Sequence, residues 1–450
     1  FLPRMVSGEW TGTMNLTEPQ AGSDLSAVRT RAIPDGDQYR IHGTKIFITW
    51  GEHDMADNIV HLVLARLPDA PEGVKGISLF IVPKFVVNDD GSIGERNDVK
   101  CVSIEHKLGI HGSPTAVMAY GDGAGAIGYL VGEANQGLAY MFTMMNFARL
   151  EVGVEGMALA ERAYQRALDF AKQRVQGREI GVKAGERVAI IRHPDVRRML
   201  MTMKAYSEAM RALAAAAAEA LDHALANPDP EVKRRGQAKF DLLTPVVKGW
   251  CTEMSTEIAS LGVQVHGGMG FVEETGAAQH LRDARITSIY EGTTGIQAND
   301  LIGRKLAFEK GATAHAVIAE MRALDAALAE HASHPALSVL RESLRAGVDD
   351  LVAATNWLLQ TFATDPKSAS AGAVPYLKLW GTVAGGWQMA RAALIAKSRL
   401  DDGVGDYDFY RAKIGTARFY AEHVMPLAHA YRGAVVNGAT SVLALEEAQF

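Results

Sequence analysis

The chain is 450 residues long, 48% apolar and 22% charged, a balance that excludes a disordered or fibrous protein. Its 46 basic and 52 acidic residues leave a net charge of −6, so no global positive field serves nucleic acid or an anionic membrane, and anionic ligands must be held locally. The longest unbroken apolar stretch, Ala212 to Ala218, is far short of the ~18 residues a membrane span needs, so a soluble protein without a membrane span is expected.

At roughly 150 residues per domain, the length suggests about three domains. The chain opens on Phe1 and reads as starting inside a domain; Phe1 to Glu18 has no charged n-region followed by an apolar h-region, so it is not a secretory signal. From about Gly12 to Val131 the sequence is a series of short β-like runs: Gln38 to Ile41, Thr44 to Thr49, Ile59 to Ala65, Gly76 to Pro83, Val99 to Glu105 and Thr115 to Tyr120. Turn formers such as Pro34-Asp35-Gly36-Asp37 and Asn88-Asp89-Asp90-Gly91 separate them. Short strands at that spacing predict a small antiparallel barrel or sandwich.

From about Gln136 the apolar period becomes helical. Met157, Ala160, Tyr164, Ala167, Leu168 and Ala171 fall on one helix face, as do Val196, Met199, Leu200, Met203 and Met210. His193-Pro194 and Asp229-Pro230-Glu231 are helix starts. Four long helical segments, about 137–176, 194–226, 230–262 and 275–310, suit a four-helix bundle. A further helical region, about 314–450, is split at Thr364-Asp365-Pro366 and Asp401-Asp402-Gly403; its Trp357, Trp380 and Trp387 read as core. The expected fold class is α+β: a small antiparallel β-barrel or sandwich domain, then a four-helix bundle, then an additional C-terminal helical domain. Cys101 and Cys251 build no disulfide framework and match no zinc spacing, which points to a reducing, cytoplasmic setting.

Three stretches are richer in special residues than packing requires. Leu16-Thr17-Glu18-Pro19-Gln20-Ala21-Gly22-Ser23-Asp24 is a turn between β-like runs whose N–H and O–H donors suit a polar cofactor edge or phosphate, and which could equally be a plain loop. Gln264-Val265-His266-Gly267-Gly268-Met269-Gly270 permits close backbone approach to a ligand and equally well terminates a helix. No second ligand stands at metal spacing from His266, so a structural, hydrogen-bonding histidine is expected and no metal site. Ile289-Tyr290-Glu291-Gly292-Thr293-Thr294-Gly295-Ile296-Gln297 places a carboxylate at a helix break. Such a glutamate is either solvated or points into a cavity, where desolvation raises its pKa and makes it a base near neutral pH.

Taken in order, the three segments resemble the acyl-CoA dehydrogenase family. Thr17-Glu18-Pro19-x-Ala21-Gly22-Ser23-Asp24 is similar to the family's first flavin segment and Phe47-Ile48-Thr49 to its second. The run Ser103-Ile104-Glu105-His106-Lys107-Leu108-Gly109-Ile110-His111-Gly112-Ser113 resembles the segment closing the β-domain. Gln264-x-x-Gly267-Gly268-x-Gly270, Arg282-Asp283-Ala284 and Tyr290-Glu291-Gly292-Thr293 resemble the catalytic signature. The match covers about 10–310, and the remaining helices resemble the extension of a bacterial subgroup. The organisation it implies is a remnant of an N-terminal helical domain over 1–10, a β-domain over 11–133, a bundle carrying the catalytic glutamate over 134–311 and an extension over 312–450, with the N-terminal helical domain itself absent.

The resemblance implies an FAD-dependent α,β-dehydrogenation of an acyl-CoA thioester, with electrons passed to an electron-transfer flavoprotein and the chain working as a homodimer or dimer of dimers. Alternatives are an acyl-CoA oxidase using dioxygen and a truncated, non-catalytic CoA-binding or scaffold protein. By the same matching, Glu291 is the base. One family variant instead carries its glutamate immediately before the arginine matched by Arg149; Ala148 stands there in this chain. Leu16, Thr17, Gly22 and Ser23 would contact the flavin or its phosphates, and Phe47 and Thr49 would flank the ring. Arg174, Gln264, Gly267 and Gly268 would bind FAD across a subunit interface, with Thr293 beside the base. Toward substrate the resemblance implies Ser23, Arg149 near the CoA end, and Tyr290 and Gly292 near the acyl chain. The methionine-rich Met141-Phe142-Thr143-Met144-Met145 could line an acyl channel, but ordinary helix core is the stronger reading.

Overall fold

Residues 1–450 are described by a computed structural model, in which the switch from two-residue to helical periodicity separates two units, Phe1–Phe147 and Ala148–Phe450. The first begins with a short helix α1 (Leu2–Ser7) and continues as ten strands: β1 (Trp10–Asn15), β2 (Arg31–Asp35), β3 (Gln38–Thr49), β4 (Asn58–Arg66), β5 (Ile77–Pro83), β6 (Phe85–Val87), β7 (Ile93–Arg96), β8 (Val99–Ile104), β9 (Thr115–Tyr120) and β10 (Ala126–Leu130). Eight form one sheet in the order β1-β4-β5-β10-β3-β9-β8, with β2 pairing β3 and β4; β6 and β7 form a separate ribbon.

The sheet is largely antiparallel, as expected, but β1 runs parallel to β4, with Trp10 opposite Asn58 and Asn15 opposite Val63. β1, β2 and β10 escape the sequence reading because each is short and contains Gly or Pro, which interrupt the β pattern. β4 and β5 are near-continuous apolar runs because both their faces are covered. Val63, Ala65, Phe80 and Val82 join one buried cluster with Ile41, Met118 and Tyr120. The alternate residues Leu64, Ile77 and Leu79 join another with Leu16, Met141 and Met145, so the methionine-rich segment packs as core. Between Lys45 and Ile48, β3 carries one residue more than its partner stretch Met118 to Ala116. At this bulge Phe47 is left-handed, φ 60°, and its ring stands 60% exposed.

Helix α2 (Gly137–Gln173) runs across the boundary between the units. The second unit continues with α3 (Pro194–Ala226), α4 (Pro230–His266), α5 (Ala277–Arg285), α6 (Thr294–Asp300), α7 (Ala312–Ala329), α8 (Pro335–Thr364), α9 (Pro366–Ala371), α10 (Ala373–Asp401), α11 (Tyr407–His423), α12 (Leu427–Asn437) and α13 (Ala439–Val442). The segment expected as one helix over 275–310 is instead α5, a turn, α6 and a single wide turn over Leu301–Ala307 with π-helical bonding. Asp229 caps α4, its carboxylate accepting from the Glu231 N–H at 2.8 Å.

The bundle helices and the C-terminal helices share one core. Trp380 and Trp387 are buried and Trp357 packs on that core. α10 lies against α3 and α4 so closely that a Cβ added at Gly381 would meet the Trp250 ring at 2.1 Å; no residue with a side chain fits there. No helix is long and apolar enough to cross a membrane.

Candidate active site

The carboxylate singled out by sequence sits on the turn between α5 and α6. Its backbone bonds run from the N–H groups of Ile289 and Tyr290 to the Ile286 carbonyl and from Thr294 N–H to the Ser288 carbonyl, leaving the Glu291 N–H outside them. Glu291 and Gly292 are consecutively left-handed, φ 53° and 87°. For glutamate that conformation costs roughly 1–2 kcal/mol, so the surroundings must hold it. Gln297, buried on α6, donates through Nε2 to the carbonyls of both Glu291 and Gly292 at 3.2 Å. Lys248 on α4, with none of its surface exposed, donates from Nζ to the Gly292 carbonyl at 2.6 Å. Thr293 caps α6 by accepting from the Ile296 N–H at 3.3 Å.

Around the turn lies an ordered set of charges. Burial raises the Glu291 carboxyl above its ordinary value, and the charges of Lys248 and Arg149 pull it partly back without hydrogen-bonding to it. Burial likewise depresses the Lys248 ammonium to about 8; Glu291, Glu253 and Glu155 act to raise it and Arg149 to lower it. Arg149, 4% exposed, lies 3.5 Å from Asp300, which also takes Arg304 at 2.6 Å. The structure thus seats Arg149 deep beside the base. Tyr290 donates to the Glu155 carboxylate; burial and that acceptor hold its phenol well above the ordinary range. Thr294 donates to Glu253 at 2.6 Å, and Lys378 lies 3.6 Å from the same carboxylate.

Of the expected residues, Arg149, Tyr290, Glu291, Gly292 and Thr293 therefore lie in one place. Lys248, Gln297, Glu155 and Asp300 join them and were missed. For Lys248 the sequence held a signal: it interrupts the run Leu242-Leu243-Thr244-Pro245-Val246-Val247 before Gly249-Trp250-Cys251, where a solvated helix face would show more polar residues.

A second group lies elsewhere on the same unit. Gln264 lies in the last turn of α4, sixteen residues beyond Lys248 or about 24 Å along the helix, and Gly267 and Gly268 follow its end. His266 stacks on Phe170, with 4.4 Å between ring centroids, and its Nδ1 lies 2.7 Å from the Gly262 carbonyl, which brings the end of α4 beside Arg174 at the end of α2. Arg174 and Gln264 are exposed, and nothing occupies the space a side chain at Gly268 would enter.

In the β-unit, Ile46 N–H donates to the Thr17 carbonyl at 2.9 Å, which sets Thr17 beside the bulge carrying Phe47. Thr49, Gly22 and Ser23 are exposed, while Leu16 is buried. Beneath the loop, Glu18 accepts from Lys45 Nζ at 2.8 Å, Thr30 Oγ1 at 2.6 Å and N at 3.1 Å, Arg29 N at 2.7 Å and Gln20 Nε2 at 2.6 Å. Burial alone would raise this carboxyl; the Lys45 charge and these donors overcome it and hold it at about 2. Lys45 also donates to the Leu16 carbonyl at 3.0 Å. An exposed ring on a fixed bulge, hydroxyls beside it and an uncovered loop fit a flat, polar-edged cofactor such as a flavin nucleotide.

Three family models match in succession: the middle domain of acyl-CoA dehydrogenases over residues 13–122, their C-terminal domain over 135–306, and the acetyl-CoA dehydrogenase C-terminal-like domain over 315–446. A 3-methylmercaptopropionyl-CoA dehydrogenase from Ruegeria pomeroyi is 51% identical over 449 residues, covering 98% of this chain and 74% of that protein. A broad-specificity linear acyl-CoA dehydrogenase from Mycobacterium tuberculosis is 39% identical over 454 residues, covering 98% and 74%. The crystal structure of an acyl-CoA dehydrogenase complexed with FAD from Bacillus anthracis shares the fold, with a TM-score of 0.74 at 21% identity, over all of this chain and 72% of that one. With three consecutive domain models and a relative at this identity along nearly its whole length, the chain belongs to the acyl-CoA dehydrogenase family, oxidoreductases that act on acyl-CoA thioesters.

Proposed function

We propose that the chain catalyses α,β-dehydrogenation of an acyl-CoA thioester to the trans-2-enoyl-CoA, with Glu291 as the base. The observation that carries this reading is the Glu291 turn: a left-handed, half-buried carboxylate with its pKa raised, facing two cations that leave its oxygens free. The α C–H bond breaks and its proton passes to the Glu291 carboxylate. Burial gives that carboxylate the proton affinity the step needs, and the nearby charges of Lys248 and Arg149 keep its ionised form accessible. The Glu291 N–H, unused by the turn, would donate to the thioester oxygen as enolate charge develops, a kind of donor typically worth about 3 kcal/mol.

When bound, FAD supplies the two-electron acceptor that takes the β-hydrogen as hydride. Leu16, Thr17, Gly22 and Ser23 would hold its phosphates and polar edge, with Phe47 and Thr49 flanking the ring and Thr293 beside the base. Arg174, Gln264, Gly267 and Gly268 would serve the FAD of a partner subunit in a homodimer or dimer of dimers; the distance of their helix end from Lys248 supports that division. Ser23 would also touch the substrate, Arg149 would stabilise the substrate side of the base, and Tyr290 and Gly292 would border the acyl chain. The likeness to the Ruegeria relative makes 3-methylmercaptopropionyl-CoA the first substrate to assay, ahead of a series from butyryl-CoA to palmitoyl-CoA. An electron-transfer flavoprotein in the cytoplasm would be the partner that receives the electrons.

Glu291→Gln is expected to retain FAD and lose substrate-dependent bleaching, with kcat falling about 100-fold or more; turnover near the wild-type rate would refute the base assignment. After anaerobic bleaching by acyl-CoA, aeration should cause little oxygen uptake, whereas rapid uptake would make the enzyme an oxidase.

A further inference from the structure

We propose that Lys248 is a positioning residue of this reaction: from α4 it grips the carbonyl of the turn that carries Glu291 and supplies the buried positive charge that the ionised base faces. The inference rests on the reading of Glu291 as base. Lys248 is wholly buried, in a stretch of α4 whose neighbours are buried too, and an apolar side chain of its length would pack there without desolvating an ammonium. The charge therefore needs a reason. Its hydrogen bond ends on the Gly292 carbonyl at 2.6 Å, so α4 and Gln297 of α6 hold the two left-handed residues from opposite elements.

The charged groups facing Lys248 are Glu291 from the turn, Glu253 from α4 itself, and Glu155 and Arg149 from α2. Beyond them, Asp300 of α6 and Arg304 of the following turn act on Arg149, and Lys378 of α10 lies against Glu253. Arg149 is already committed to Asp300. By bonding a carbonyl next to the base, Lys248 keeps its charge close to Glu291 while the carboxylate lone pairs stay free to take a proton. A direct ion pair would block the oxygens and lower their proton affinity too far.

The test compares Lys248→Met, which removes charge and donor at nearly constant shape, with Lys248→Gln, which keeps a donor and loses the charge. Both should bind flavin and move the acid limb of the kcat–pH profile toward alkaline pH by about one unit, the low end of what a nearby opposite charge produces. Limiting kcat at high pH should fall further in Lys248→Met. An infrared titration of the Glu291 carboxyl, identified by its loss in Glu291→Gln, should move with the limb and reads the charge effect independently of turnover. If both variants fold, bind flavin and titrate at the wild-type pH, the inference falls, even if kcat drops uniformly, because lost packing alone would do that. If Glu291→Gln turns over normally, the base reading itself fails, whatever Lys248 does.

Discussion

Each unit of the chain sets a glutamate near a buried lysine, fully enclosed at Glu18 and half-buried at Glu291, and the two pairs are built to opposite ends. In the β-unit, Lys45 touches Glu18 at 2.8 Å with both side chains almost wholly enclosed, and four further donors complete the carboxylate shell. In the helical unit, Lys248 hydrogen-bonds a carbonyl beside Glu291, so the base keeps its oxygens free; burial raises its pKa and the Lys248 charge offsets only part of that rise. The same two residue types thus make a permanently ionised strut in one place and a proton acceptor in the other. What separates them is whether the ammonium lands on the carboxylate or one peptide away.

The largest effect that would break this contrast is Lys45→Met. It strands Glu18 in the β-unit and is expected to cost about 3–5 kcal/mol, measured by denaturant unfolding; a cost below 1 kcal/mol would mean that Glu18 is neutral or rehydrated. Next is acid. Since the Glu18 carboxyl falls from 4.5 to about 2 on folding, its stabilisation is complete above pH 4.5 and drains away as pH drops toward 2, an effect on the order of 3 kcal/mol. Glu18→Gln should flatten that part of the stability curve, and an unchanged acid slope would show that other carboxylates set it.

Gly292→Ala probes the other turn, because its Cβ would meet Gln297 Nε2 at 2.7 Å in a left-handed conformation. About 1–3 kcal/mol of strain should follow, with kcat lowered more than the thermal midpoint; a wild-type kcat would show that the turn tolerates other geometries. The smallest effect is also the most discriminating. Burial that raises the Glu291 carboxyl makes its ionised form a burden on folding at neutral pH, so Glu291→Gln should raise the thermal midpoint slightly. Loss of stability there, as at Glu18, would erase the distinction.

Much of this was legible in the sequence. Glu291 stands at a break between helical patterns with glycine after it, and turn chemistry at such a break is local. The long helices, their proline starts and the buried tryptophans of the C-terminal region also follow from periodicity and punctuation alone. The parallel pairing of β1 with β4 was not legible, because strand direction depends on where a distant segment lands. Nor were the partners of Lys45 and Lys248, even though the apolar run around Lys248 marks that lysine itself as out of place. A lysine's partner is fixed by tertiary approach across 27 residues for Glu18 and 44 for Gly292, and one-dimensional patterns carry no such information. The broken course of α5, α6 and the wide turn after Asp300 was blurred into one segment because their apolar residues stay roughly in helical phase.

The absent side chain at Gly381 bears on how far this protein can be shortened. The helix that carries Lys248 has its Trp250 ring pressed onto the backbone of α10, so the C-terminal helices are a wall of the fold and no detachable appendage. A chain cut after Gly311 would lay Trp250 and its apolar neighbours open to water, and such a fragment is expected to aggregate instead of yielding a smaller working enzyme.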